Sequence, residues 1–167
     1  MTYSAGKACT IQIDTPSGKE GRKLEKQEWL QSAERIISGY LTRQDGCFDD
    51  QMHAKLTACN YEEQTVTIEF ETQKWQINER GGIHGGAIAG MFDTAFGVVA
   101  DFIAGENEAT TVDMNISYVR PLDYGQHTAI TVYTVKTGRR IIRLRAEMIC
   151  RETGKLVAAG VGTWMPL

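Results

Sequence analysis

Cysteine is scarce and scattered in this chain. Cys9, Cys47, Cys59 and Cys150 are the only four, and no two of them have the spacing of a metal-ligand pair. Neither a disulfide framework nor a zinc site is expected; reduced thiols in a cytoplasmic protein are. Positive charge is not in excess either. Eighteen Lys and Arg face 21 Asp and Glu, for a net charge of −3, and the two signs are interspersed, which excludes a basic groove for nucleic acid. The stretch Met1 to Lys7 lacks the apolar core of a secretory signal. No run is expected to span a bilayer, the strongest one, after Gly86, reading as too short and as interrupted by Asp93 and Asp101. His53 and His127 stand alone in the sequence, so no metal site is expected.

What is present fits one domain. A chain of 167 residues is long enough to bury a core without staples. Residues 1–20 mix Gly, Pro, Ser and Thr around one short apolar patch at Ile11 and Ile13, which predicts a loose arm. From about Leu24 to Leu41 the apolar residues Leu30, Ala33, Ile37, Tyr40 and Leu41 recur at helical steps, and Asp45-Gly46 closes that segment as a turn. The period then changes to two. Thr65 to Glu71 alternates strictly and predicts a half-buried strand. Further strands are predicted where Val112, Met114, Ile116 and Tyr118 share a face, over about 127–136, where Ile142, Leu144, Ala146, Met148 and Cys150 line one face, and over about 156–165. Short turns at Thr137-Gly138-Arg139 and Glu152 to Lys155 join the later ones, which implies an antiparallel sheet. The expected class is α+β: a curved antiparallel sheet of five to six strands around a long central helix, with a helical extension before it.

The central helix carries the functional signal. Gly81-Gly82-Ile83-His84-Gly85-Gly86 runs into Ala87 to Ala100, where Asp93 is the only charged residue. Every helical face of that run reads as apolar, which predicts a buried helix. A lone carboxylate there is costly unless hydrogen-bonded or at work in a cleft. The glycines before it let the helix begin with bare N–H groups facing a ligand. An oxyanion site and a general base are the chemistry this pairing suggests.

The order of elements, the set Asn78, His84-Gly85-Gly86 and Asp93, and the later string Thr111 to Pro121 together resemble the hotdog-fold acyl-CoA thioesterases of the PaaI-like (phenylacetate-pathway) group. The resemblance covers about residues 51–167, taken as the hotdog domain, and leaves 1–50 as an arm and amphipathic helix that the core fold does not require. It implies hydrolysis of an acyl-CoA thioester, with coenzyme A entering only as part of the substrate and no metal or redox cofactor. It implies Asp93 as general base or nucleophile, the Gly85 N–H as donor to the thioester carbonyl, Asn78 orienting carbonyl or water, and Thr111 bonding the carboxylate or the water. It also implies a site between protomers, in a homodimer or a homotetramer built as a dimer of dimers.

Each residue has a plainer reading beside this one. His84 either polarises the carbonyl or packs to shape its loop. Asn78 either orients substrate or satisfies its own turn. Thr111 is otherwise an ordinary strand threonine, and Gly85 and Gly86 serve either as donors or only to permit a tight turn. Arg120, Arg139 and Arg140 are candidates for the phosphates of coenzyme A, or are merely solvated. Desolvation is expected to raise the Asp93 carboxyl. Gly85 and Asp93 lie about 12 Å apart along a helix, so one carbonyl reaches both only if they come from two chains. Two rival functions remain open: a hotdog hydratase or dehydratase using His84 with Asp93, and a non-catalytic acyl-CoA-binding module.

Overall fold

Alternation and helical period resolve into eight main elements in the computed structural model, which describes residues 24–105 and 108–167. In chain order they are α1 (Lys26–Leu41), β1 (Lys55–Asn60), β2 (Thr65–Glu71), α2 (Gly85–Ala104), β3 (Ala109–Tyr118), β4 (His127–Thr137), β5 (Ile142–Cys150) and β6 (Leu156–Pro166). The arm expected over residues 1–20, and Cys9 with it, lies outside the described residues.

The six strands form one antiparallel sheet in the order β1-β2-β4-β5-β6-β3. Alternation drives the pairing. On β5, Ile142, Leu144, Ala146, Met148 and Cys150 are all buried while Arg145 and Glu147 face solvent, so a slip of one residue would turn the apolar set outward. The chain leaves β2 through α2 and re-enters the sheet at its far edge as β3. The carboxylate of Asp101, in the last turn of α2, accepts the Ala109 N–H at 2.7 Å and fixes that entry. Burial pushes this carboxyl up from its ordinary value.

The sheet wraps α2. Met91, Phe92, Ala95 and Phe96 are fully buried, and Phe96 stacks at a tilt on Trp164 of β6, ring centres 5.0 Å apart. On the other side α1 contributes Trp29, Ala33 and Ile37, at four-residue spacing, to the same core. Trp29 meets Phe102 of α2 and Tyr61 after β1 edge to face, at 5.2 and 5.7 Å.

Three expectations change. With 20 residues, α2 is long and apolar enough to cross a membrane on length and composition; what it buries against is the sheet and α1, as the core helix of a globular domain does. Nor is it buried all round. Gly86, Gly90, Asp93 and Gly97 follow one another at steps of four, three and four residues, and this stripe is wholly or partly open. Glycine counts as apolar in a pattern but covers nothing, so the open face was invisible in the sequence. Finally, the face of β3 expected to be apolar and inward is only half so. Met114 and Ile116 are partly buried, whereas Val112 and Tyr118 are 57% and 53% exposed. A register shift between Thr111 and Asp113 bulges the strand at Val112, and β3 has no neighbouring strand on its outer side among the described residues.

Candidate active site

The loop before α2 is closed by its own backbone. Ile77 bridges Ile83, the Asn78 N–H donates to the Gly82 carbonyl at 2.8 Å, and the Asn78 side-chain oxygen accepts the Arg80 N–H at 2.9 Å. Gly81 supplies the positive φ, +88°, that the turn requires. Asn78 is thus engaged in its own turn.

His84 then caps the helix. Its backbone is extended, its Nδ1 accepts the Gly86 N–H at 2.9 Å, and its carbonyl accepts the N–H groups of Ala87 and Ile88. A side chain at position 86 would bring a Cβ to 3.0 Å from that Nδ1, so Gly86 keeps the cap possible. Its N–H is spent within the loop rather than offered to a ligand. One first-turn donor is left: the Gly85 N–H has no hydrogen-bond partner among the described residues. Tyr118 fixes the same residue from its other side, donating from Oη to the Gly85 carbonyl at 3.0 Å.

Asp93 lies two turns further along. Thr111 on β3 donates its hydroxyl to Asp93 Oδ1 at 3.0 Å. The neighbouring strand carboxylate, Asp113, pairs with Arg143 at 3.0 Å, while Asp93 has no cationic partner among the described residues. The expectation of a buried Asp93 is not met in the protomer. The carboxylate is exposed, because its neighbours on that face are glycines and the strand beside it is the sheet edge. Thr94, one residue on, donates to Asp49 Oδ1, and Tyr40 of α1 donates to Asp49 Oδ2 at 2.8 Å. Burial, with the bond to Asp49, drives the Tyr40 phenol well above its usual range. The helix is therefore braced at 93–94 from β3 on one flank and from the segment after α1 on the other.

The arginines are divided. Arg120 follows Tyr118 at the Gly85 end of β3 and donates to the Leu156 carbonyl at 2.8 Å. Arg139 and Arg140 are exposed in the β4–β5 connection. The pairings Thr137 with Ile142, Ile142 with Trp164 and Trp164 with Thr111 carry that connection to the Asp93 end. Within one protomer the two groups lie at opposite ends of β3, as Gly85 and Asp93 do. No group of three or more His, Cys, Asp or Glu among the described residues is arranged to hold a metal.

The thioesterase superfamily matches this chain over residues 80–157, from the loop before His84 to the start of β6, so that His84, Gly85, Asp93 and Thr111 fall inside the match and Asn78 falls outside. The phenylacetic acid degradation protein PaaI of Thermus thermophilus, in a mutant form, superposes with a TM-score of 0.63 at 25% identity, over 72% of this chain and 98% of its own. The fold is the hotdog fold, and the match to the thioesterase superfamily runs from the loop before α2 through β5. Acyl-coenzyme A thioesterase 13 of Mus musculus is 26% identical to this hotdog chain over 111 residues, 66% of its length and 79% of the mouse protein. A hypothetical thioesterase of Streptococcus pneumoniae TIGR4, crystallised with coenzyme A, shares the hotdog fold with a TM-score of 0.61 at 18% identity, over 68% of this chain and 85% of its own.

Tyr118 and Asp49 are the residues that sequence reasoning missed. Tyr118 was visible only as one member of an alternating strand, and Asp49 stands in a loop whose approach to α2 no local pattern announces.

Proposed function

We propose that this hotdog protein hydrolyses acyl-CoA thioesters at a site shared by two copies, with Asp93 of one protomer as general base and the Gly85 N–H of the other as oxyanion donor. One observation carries the reading: a solvent-open carboxylate, oriented by Thr111 on the edge strand β3, stands about 12 Å along the helix from an N–H without a partner among the described residues. If β3 pairs with itself antiparallel about a two-fold axis at Asn115, the bulge at Val112 brings Thr111 opposite the partner's Tyr118. Asp93 of each chain then faces the first turn of α2 in the other. The carboxylate that is open in the protomer would be covered in that arrangement, as a general base near neutral pH requires. Coenzyme A in the pneumococcal relative and the acyl-CoA activity in the name of the mouse one support the choice of thioester.

In this scheme a water held by Asp93 loses a proton to the carboxylate as it adds to the thioester carbonyl carbon. The oxygen of the tetrahedral intermediate accepts the partner's Gly85 N–H. Collapse breaks the carbon–sulfur bond, and the departing thiolate takes up the proton, leaving a carboxylic acid and free coenzyme A. Arg120 of one chain and Arg139 and Arg140 of the other come to the same end of the paired strands, where phosphates would be met by three guanidinium groups. The commitment of His84 Nδ1 to the Gly86 N–H weighs against a hydratase that would need this ring as its second acid–base group.

Thiol release from a panel of acyl-CoAs tests the proposal. The wild type is expected to turn over at least one of them and Asp93→Asn to lose about 10²–10⁴ in kcat with its fold retained. Near-normal turnover by Asp93→Asn would sink the mechanism. Binding without turnover by the wild type would favour the acyl-CoA-binding module instead, and hydration of an enoyl-CoA would favour the hydratase.

A further inference from the structure

Two large aromatic side chains stand exposed beside the Asp93 face of α2. Phe48, in the segment between α1 and β1, and Trp75, in the short helical turn after β2, are each 52% exposed, and their rings meet edge to face at 6.4 Å. Phe48 rests on Gly90. A Cβ there would come within 2.6 Å of the Phe48 ring and 2.8 Å of the Met52 methyl, so the ring beds on bare helix backbone. Gly90 precedes Asp93 by three residues on the same open stripe, a rise of about 4.5 Å. An acyl group whose carbonyl sits at Asp93 would meet the Phe48 ring within a few bonds.

The segment that presents Phe48 is built rather than loose. Asp49 holds Tyr40 and Thr94, the Cys47 N–H donates to Asp45 Oδ1, and the Gly46 N–H donates to Asp50 Oδ2, both at 3.0 Å. Charge decides which end of a thioester belongs here. Asp45, Asp49 and Asp50 lie within three residues of Phe48, against Lys74 beside Trp75, and a polyphosphate would be repelled from such a wall. The apolar acyl end would not, and two half-exposed rings lose water by meeting it.

We propose that Phe48, bedded on Gly90 and flanked by Trp75, is the specificity-determining stop of the acyl subsite, and that it restricts the enzyme to short acyl groups. The inference rests on the thioesterase reading above. It places the length filter in a segment that lies before the residues matched to the superfamily.

The test is a kcat/KM series over straight-chain acyl-CoAs from acetyl to palmitoyl, for wild type, Phe48→Ala and Phe48→Leu, with Trp75 emission recorded for each. The other two tryptophans, Trp29 and Trp164, are 5% and 1% exposed, so an environmental change at the site is read from Trp75, and Trp75→Phe identifies its signal. The wild type is expected to fall off sharply beyond a short chain. Phe48→Ala should raise the long-to-short ratio by about tenfold or more, with Phe48→Leu in between, and a chain that reaches the rings should shift Trp75 emission to the blue. Unchanged length profiles with unmoved Trp75 emission, in a wild type that turns over, would overturn the inference and leave the thioesterase reading standing. If no acyl-CoA is turned over, that reading falls, and Trp75 emission decides the subsite alone: a chain-length-dependent shift altered in Phe48→Ala supports it, and no shift overturns it.

Discussion

β1 and β3 are the two outer strands of one sheet, and they differ in almost every respect that matters at an edge. β1 has six residues, begins with Lys55, shifts register between Leu56 and Ala58, and leads into Tyr61, which packs on Trp29 of α1. β3 shifts register once as well; what makes β1 resist pairing with another chain is that it is short and partly covered. β3 has ten residues, shows Val112 and Tyr118 to solvent, and runs alongside the helix that carries Gly85 and Asp93. Each edge also has a threonine hydroxyl in a hydrogen bond. Thr57 donates to the Thr67 carbonyl at 3.2 Å, a bond within the sheet; Thr111 donates to Asp93, a bond that orients a carboxylate on the helix. Open, partly apolar and lying beside Gly85 and Asp93, β3 is the edge that the proposed dimer would pair.

The largest expected effect on that contrast is the loss of kcat in Asp93→Asn described above. Next comes the opposite end of the same helix. Gly85 is the first helical residue, its N–H is without a partner among the described residues, and His84 before it is already extended. Proline is tolerated there, so Gly85→Pro should fold with a melting temperature near wild type yet lose about 10²–10³ in kcat through the missing donor. Gly85→Ala keeps the N–H and places its Cβ in ordinary contact, 3.6 Å from the Tyr118 ring, and should lose far less. Equal losses in the two variants would mean that space, not the donor, matters at this position.

The paired threonines give a smaller and sharper comparison. Thr111→Val should lower kcat about tenfold, whereas Thr57→Val should change stability slightly and turnover not at all. Equal turnover in the two would show that Thr111 is an ordinary strand residue.

The smallest effect lies away from both edges. His127 bonds Glu152 at 3.0 Å. Hydrogen bonds from the His127 ring and backbone pull the Glu152 carboxyl down to about 2 from an ordinary 4.5, and the Glu152 carboxylate pushes the ring up from its ordinary 6.5. The carboxylate's contribution is present above pH 4.5 and is lost as pH falls towards 2. The ring's contribution is present below pH 6.5 and is lost as pH rises through its raised value. Both act together between these limits. Denaturant titrations of wild type and His127→Gln should differ most in that window and converge at higher pH, by a small amount because the pair is exposed.

How far the sequence could be read follows from the kind of signal each element leaves. β2 and β5 were legible because strict alternation reports one buried face directly, and α1 because Ala33 and Ile37 recur at helical steps. The lone Asp93 on α2 and the glycine start of that helix were legible because a charge inside an apolar run and a glycine-rich start are local facts. The contact between Thr111 and Asp93 followed only from the family resemblance, since nothing local aims a strand hydroxyl at a helix. The open face of α2 was hidden because its stripe is made of glycine, which has no side chain with which to mark exposure. Val112 and Tyr118 were misplaced because an edge strand with a bulge obeys alternation in sequence but not in burial. Tyr118, Asp49 and Phe48 reach α2 across long stretches of chain, and such contacts leave no trace in spacing.

The shared site is tested most directly by mixing two inactive proteins. Asp93→Asn and Gly85→Pro are each expected to be nearly inactive alone, because every site in either homodimer lacks one of the two groups. Refolded together in equal amounts, half of the dimers are mixed, and each mixed dimer holds one site with an intact Asp93 from one chain and an intact Gly85 from the other. Turnover should then return to roughly a quarter of wild type. A mixture no more active than its two components would contradict the account and place the base and the donor within a single chain.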